Sequence, residues 1–129
     1  MTIANQEQAE HWNSTDEADH WVNHQNRYDT QLEPFARMIL DAARFQPGES
    51  VLDVGCGCGA TTLAAAEAVA PGRVVGLDLS VPMLARARER ARDRALDNVT
   101  FVEGDAQVHP LDPHGFDVVI SRFGVMFFS

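Results

Sequence analysis

Three acidic residues, each closing a short apolar run, carry the chemistry legible in this sequence. They are Asp53 in "VLDVGCGCGATT", Asp78 in "VVGLDLS" and Asp105 in "VTFVEGDA". Asp53 stands two residues ahead of a loop in which Gly55, Gly57 and Gly59 alternate with Cys56 and Cys58, and the loop runs on into a helical stretch. A strand–loop–helix unit aims unpaired backbone N–H groups at whatever lies above the carboxyl edge of a sheet. Glycine there lets a ligand approach without meeting a Cβ. The segment satisfies the dinucleotide pattern G-x-G-x-x-G/A, with Ala60 in the last place, and equally the tighter G-x-G-x-G. Asp53 separates the two readings. So close to a pyrophosphate its carboxylate would repel, whereas it favours an ammonium group, directly or through water. Capping a nearby backbone N–H is the plainer role open to it.

Asp78 ends the second apolar run, where a carboxylate can accept both hydroxyls of a ribose. That role fits NAD and any other adenosine ligand. Partnering the start of the next helix is the alternative, but Ser80 already stands in the N-cap place. Asp105 ends the third run at the same edge. It could accept from the exocyclic amine of an adenine while the N–H of Ala106 meets a ring nitrogen; taken singly, it is as readily a loop residue. Together the three imply a ligand with an adenine, a free ribose diol and a positively charged end, and no large anionic tail. S-adenosylmethionine fits that description better than a dinucleotide does.

The remaining reactive side chains offer less. Cys56 and Cys58 are one residue apart in a loop, a spacing that rarely allows a disulfide, and zinc would need two further ligands that no adjacent motif supplies. No metal site is expected. His20 and His24 share a helix face but lack a third partner. His109 and His114 lie in the loop before the fourth strand, where a solvent-exposed role outweighs general-base work. No catalytic base is named by the sequence.

The elements that must position these groups follow from periodicity. "STDE" (14–17) and "TQLE" (30–33) have the capping-box form, each opening a helical stretch. The second continues with Leu32, Phe35, Ile39, Leu40 and Ala43 on one stripe, until "QPGES" breaks it. From residue 50 strands alternate with helices: "SVLDVG", "ATTLAAAEAVA", "RVVGLDLS", "VPMLARARERARDRAL", "VTFVE" and "FDVVIS". This is an α/β chain with a Rossmann-like parallel sheet and right-handed crossovers. Residues 1–46 form an N-terminal helical cap and 47–129 the sheet domain. The net charge of −9 disfavours a nucleic-acid partner. Arg86, Arg88, Arg90, Arg92 and Arg94 spread around a helix interleaved with Glu89 and Asp93, and read as a solvated face. The polar first thirty residues carry no membrane or secretory signal, so a cytoplasmic protein is expected.

"VLDVGCGCGATT" resembles motif I (E/D-x-G-x-G-x-G) of the class I S-adenosylmethionine-dependent methyltransferases. "VVGLDLSVPMLARAR" resembles their ribose-binding segment, "VTFVEGDAQ" the adenine-contacting one, and "FDVVISRFGVMFF" the fourth strand with its following loop. The likeness covers residues 50–128 and is closest to the small-molecule enzymes of the ubiquinone/menaquinone-biosynthesis type. It implies that Gly55, Gly57 and Gly59, with Cys56 packed as a small residue between them, line the methionine portion, with Asp53 acting on its amino group. It further implies that Asp78 holds the ribose, that Leu79 and Met83 flank the adenine, and that Asp105 and Ala106 read its edge. Ser121 and Arg122 would sit at the methionine end, and Tyr28 would close the site from the N-terminal helices. The implied reaction transfers a methyl group to a small-molecule acceptor and leaves S-adenosylhomocysteine. The apolar "FGVMFF" (123–128) reads either as part of a hydrophobic acceptor pocket or, for Val125 and Phe127, as plain core. No N/D-P-P-Y/F element follows the fourth strand, which argues against a DNA N-methyltransferase. The family sheet has seven strands, so a further C-terminal half or another chain is expected to complete this one. A nicotinamide-dependent oxidoreductase domain and a non-catalytic S-adenosylmethionine-binding protein are the other classes compatible with the motifs.

Overall fold

The computed structural model describes residues 3–112 and 114–122; the "FGVMFF" segment lies outside them. Three helices come first: α1 (Gln6–Asn13), α2 (Thr15–Asn23) and α3 (Gln25–Ala43). Strands and helices then alternate through β1 (Ser50–Val54), α4 (Ala60–Val69), β2 (Arg73–Asp78), α5 (Val81–Asp93), β3 (Val99–Glu103) and β4 (Val118–Ile120). All four strands are parallel in the order β3-β2-β1-β4. The chain winds outward from β1 through β2 to β3, then crosses to the other side of β1 for β4. The order therefore reverses at β1, and the carboxyl ends there form the crevice in which open parallel sheets take ligands.

Local sequence explains these elements. β1 is apolar and covered on both faces, all four residues after Ser50 being buried. α4 buries Thr61, Thr62, Leu63, Ala65, Ala66 and Val69, and its small side chains let it lie close against β1 and β2. Ser80 caps α5 through its hydroxyl, and Ser14 caps α2 by accepting from the Glu17 N–H at 3.4 Å. Only half of that capping box forms, since the Glu17 carboxylate accepts instead from Trp21 Nε1 at 3.1 Å.

"TQLE" does not open a helix. α3 runs unbroken from Gln25, and Thr30 turns its hydroxyl back to the Asn26 carbonyl at 3.0 Å, which satisfies a mid-helix threonine without a cap. Pro34, four residues on, has no N–H for the Thr30 carbonyl, so the sequence imitates a helix start where the backbone merely loses one rung. The stripe on α3 also splits. Ile39 and Ala43 pack on the core of β1, α4, β2 and β4, whereas Phe35 is 45 % exposed beside Met38 at 67 %.

Gly76 in β2 marks the tightest packing near the loop. A Cβ there would lie 2.8 Å from Phe101 Cδ1 and 2.9 Å from Cys56 Sγ, so the ring and the thiol occupy the space a side chain would need. Gly76→Ala is expected to lower the unfolding free energy by about 1–3 kcal/mol through overpacking, read from urea denaturation midpoints; an unchanged midpoint would contradict this packing.

Candidate functional site

A cavity of about 500 Å³ lies over the carboxyl ends of β1, β2 and β3, bounded on its far side by residues of α1, α2 and α3. That volume falls in the usual range for small-molecule sites. Its floor is the β1–α4 loop, which turns through three left-handed glycines: Gly55 (φ 71°), Gly57 (φ 56°) and Gly59 (φ 91°). Gly55 and Cys56 donate their N–H groups to the Leu77 carbonyl at 2.8 and 3.2 Å, anchoring the loop on β2.

Asp78 lies on the cavity wall at the end of β2. Its Oδ2 accepts from Gly57 N at 2.7 Å and its Oδ1 from Ser80 N at 2.9 Å. Burial raises its pKa, and the backbone hydrogen bonds oppose that rise. Asp53 sits below the loop and off the cavity wall. It is buried, with Oδ2 accepting from Thr61 Oγ1 at 2.6 Å and Thr62 Oγ1 at 2.7 Å. Burial lifts its pKa to about 6 against those two bonds and the nearby Arg122 charge. Its carboxylate therefore reaches the cavity as a field from beneath the floor rather than as a direct contact.

Asp105 is engaged elsewhere. Its Oδ2 accepts from the backbone N–H groups of Ala4 and Asn5 at 2.8 and 3.1 Å, and its Oδ1 from Gln107 N at 3.0 Å. The segment leading into α1 thus lies on the carboxylate that the sequence offers to an adenine amine. Leu79, Met83 and Ala106 line the cavity; Leu79 accepts from Asn13 Nδ2 at 2.7 Å through its carbonyl. Met83 Sδ is the nearest neighbour, at 3.9 Å, of a Cβ built on Gly57. Tyr28 is also on the wall, stacked on Trp21 at 3.9 Å between ring centroids, with its hydroxyl 2.6 Å from His20 Nε2. Ser121 lies off this wall and donates to the Val54 carbonyl at 2.8 Å, whereas Arg122 is on it.

Burial pushes both thiols up, Cys56 far above its ordinary value and Cys58 to about 11. Both stay protonated near neutrality, a poor state for a metal ligand or nucleophile. Among the described residues no cluster of three or more His, Cys, Asp or Glu side chains is placed to hold a metal ion. His20 and His24 stack on each other at 4.4 Å. His109 is half-buried rather than solvent-exposed, its ring seated where Gly104 lacks a Cβ.

Arg88, Arg92 and Arg94 are exposed as expected of a solvated face, but Arg86 and Arg90 depart from it. Arg90 keeps only 10 % of its side chain exposed, pairing with Asp29 Oδ2 at 2.9 Å and donating to the Cys58 carbonyl at 2.8 Å. Arg86 donates to Gln25 Oε1 and Arg88 to the Phe101 carbonyl. Arg86 and Arg90 are four residues apart, so one helix face carries both toward α3; the pattern on α5 alone could not reveal a partner so distant in sequence.

A family model described as a methyltransferase domain matches residues 51–129. The chain belongs to that family. Among its relatives, aklanonic acid methyltransferase DauC of Streptomyces sp. (strain C5) is 37% identical over 95 residues, 73% of this chain and 43% of the relative. Demethylmenaquinone methyltransferase of Shouchella clausii is 46% identical over 81 residues, covering 62% of this chain and 34% of its own. The solved structure of coclaurine N-methyltransferase bound to N-methylheliamine and SAH superposes with a TM-score of 0.62 at 32% identity, over 68% of this chain and 26% of that one. The chain thus spans less than half the length of these relatives.

Several cavity residues escaped sequence reasoning. Trp12, Trp21, Gln25 and Asp29 come from α1–α3, ahead of the matched region. Thr61 and Thr62 lie in the first turn of α4, and their spacing from Asp53 acquires meaning only when the loop folds back. Asp53 also has a measurable consequence. Its folded pKa is raised above the unfolded value, so its share of stability is present below about pH 4 and is lost as pH rises through about 6. Asp53→Asn, which retains an acceptor for the threonine hydroxyls, is expected to remove about 3 kcal/mol of this pH-dependent difference. Urea unfolding of both proteins at pH 4 and pH 8 measures it; equal pH slopes would rule it out.

Proposed function

We propose that this chain is the cofactor-binding part of an S-adenosylmethionine-dependent methyltransferase acting on a small-molecule acceptor in the cytoplasm. The observation that carries the reading is the pairing of a three-glycine loop with the Asp78 carboxylate on one cavity wall. Family membership and the small-molecule names of the relatives support the same reading. The donor set fits the cofactor. Loop positions without a Cβ leave room for its amino-acid tail, Asp78 presents acceptors to a ribose diol, and Leu79, Met83 and Ala106 offer an apolar slot for adenine. Asp53, through its charge under the loop, favours the cationic end over a pyrophosphate. S-adenosylmethionine supplies, when bound, a methyl group on a sulfonium whose thioether leaves readily.

The protein's own work is alignment and exclusion of water. The α1–α3 segment serves as the cap: Ser80 Oγ donates to the Trp12 carbonyl at 2.6 Å and Val81 N to Asn13 Oδ1 at 2.8 Å, while Trp12, Trp21 and Tyr28 wall the cavity. Asp105 acts on the adenine edge through the turn it organises, its Oδ1 fixing Gln107 and its Oδ2 fixing the strap at Ala4 and Asn5. Two free cysteines accord with a reducing compartment. No helix among the described residues is long and apolar enough to cross a membrane. β4 is an edge strand with Val119 exposed, which suits a further strand beside it, supplied by the remainder of a longer chain or by a partner.

Calorimetry tests the reading. S-adenosylhomocysteine is expected to bind with micromolar affinity and NAD not measurably. Asp78→Asn should weaken S-adenosylhomocysteine about tenfold, the scale of one charge-assisted hydrogen bond. Affinity should also fall as pH drops through about 6, because protonated Asp53 no longer attracts the ligand's ammonium group. Binding of NAD in place of S-adenosylhomocysteine would overturn the assignment.

A further inference from the structure

A second, smaller cavity of about 240 Å³ is lined by Phe35, Met38, Ile39, Ser121 and Arg122. Among the described residues, Arg122 alone lines both this groove and the 500 Å³ cavity. Its Nη1 is buried and has no hydrogen-bond partner among the described residues. A buried guanidinium N–H left unmatched is costly, and in a native fold such a group calls for an explanation. The acidic groups nearest it in charge do not provide one. Asp29 and Asp53 both favour its charged form at a distance, yet Asp29 is taken by Gln25 Nε2 and Arg90, and Asp53 by Thr61 and Thr62. None of the ion pairs among the described residues includes Arg122.

The rest of the groove is apolar. Phe35 and Met38 are the exposed residues of α3 noted above, and Ile39 adjoins them. An apolar trough with one free guanidinium donor where it adjoins the larger cavity has the composition of a small-molecule site, in which few polar groups fix orientation. Guanidinium suits carboxylate and other anionic oxygens through its fixed fork of donors.

We propose that this groove is the acceptor subsite, and that it takes an apolar molecule bearing an anionic oxygen, whose body rests on Phe35, Met38 and Ile39 and whose oxygen pairs with the Arg122 guanidinium. This rests on the methyltransferase reading for the identity of the neighbouring cavity as the cofactor's. Arg122 is then a specificity-determining residue, holding the acceptor at the boundary between the two cavities.

The test uses calorimetry on the chain saturated with S-adenosylhomocysteine, with 2-naphthoate and the neutral 2-naphthylmethanol as probes. Naphthoate should bind at least tenfold more tightly than the alcohol. Arg122→Met should abolish that preference, and Arg122→Lys should keep part of it. Thermal melts of both variants report whether the fold is intact, and Arg122→Gln replaces methionine if it is not. Three results would overturn the proposal: no naphthoate binding to the wild type, a preference that survives loss of the guanidinium, or a tenfold loss of S-adenosylhomocysteine with methylthioadenosine unaffected. The last would assign Arg122 to the cofactor's own carboxylate. Failure of S-adenosylhomocysteine to bind the wild type at all would instead strike the methyltransferase reading, and the naphthoate arm, run without it, would still report on Arg122.

Discussion

Two carboxylates hold one glycine loop, and the site depends on that pinning. Asp53 at the end of β1 accepts two hydroxyls from the first turn of α4, so the strand's end and the helix's start are drawn together beneath the loop. Asp78 at the end of β2 accepts Gly57 N from the loop's middle. A run of left-handed glycines would otherwise carry the highest backbone entropy in the chain. Fixed from below and from the side, it becomes a rigid wall without side chains. Both acids carry raised pKa values because burial outweighs their hydrogen bonds, so the groups that stiffen the loop hold their charge less readily than exposed carboxylates do.

The helices ahead of the sheet are fastened by a different set of contacts, made mostly with α5. Arg90 joins Asp29 of α3 to the Cys58 carbonyl of the loop, and the start of α5 is bonded to Trp12 and Asn13 of α1. A half-buried ion pair such as Arg90–Asp29 adds little net stability after desolvation. Its consequence here is positional: it ties the cap to the loop that forms the floor, so cap and floor share one reference frame. Asp105 repeats the arrangement at the other end by holding the strap ahead of α1.

These two fastenings explain what the sequence disclosed and what it hid. The sheet, its strand order-setting crossovers and the loop were readable because each rests on local pattern: a continuous apolar strand, glycines that alone fit positive φ, a serine N-cap. The same local pattern places Asp78 at the end of β2, where its carboxylate bonds Gly57 N of the loop and Ser80 N at the start of α5. What stayed hidden depends on long-range partners. Nothing near Arg90 names Asp29, sixty-one residues earlier, and nothing near Asp105 names Ala4. The false helix start at Thr30 arose where a proline removes a backbone donor and a threonine satisfies itself, so that local pattern and tertiary outcome diverge.

The same distinction separates the cofactor side of the site from the acceptor side. The proposed cofactor contacts use backbone and strand-end groups whose geometry the parallel sheet dictates, which makes them legible as a local motif. The proposed acceptor groove draws on α3 and on the residues just after β4, two segments distant in sequence. Phe35 and Met38 look like defects in an amphipathic stripe when α3 is read alone, because the core they miss is only one of two surfaces the helix serves. Set beside Arg122, they form the second surface. An apolar stripe that is half exposed and a cation that is half buried are each unfavourable in isolation, and a single ligand with an apolar body and an anionic oxygen would relieve both.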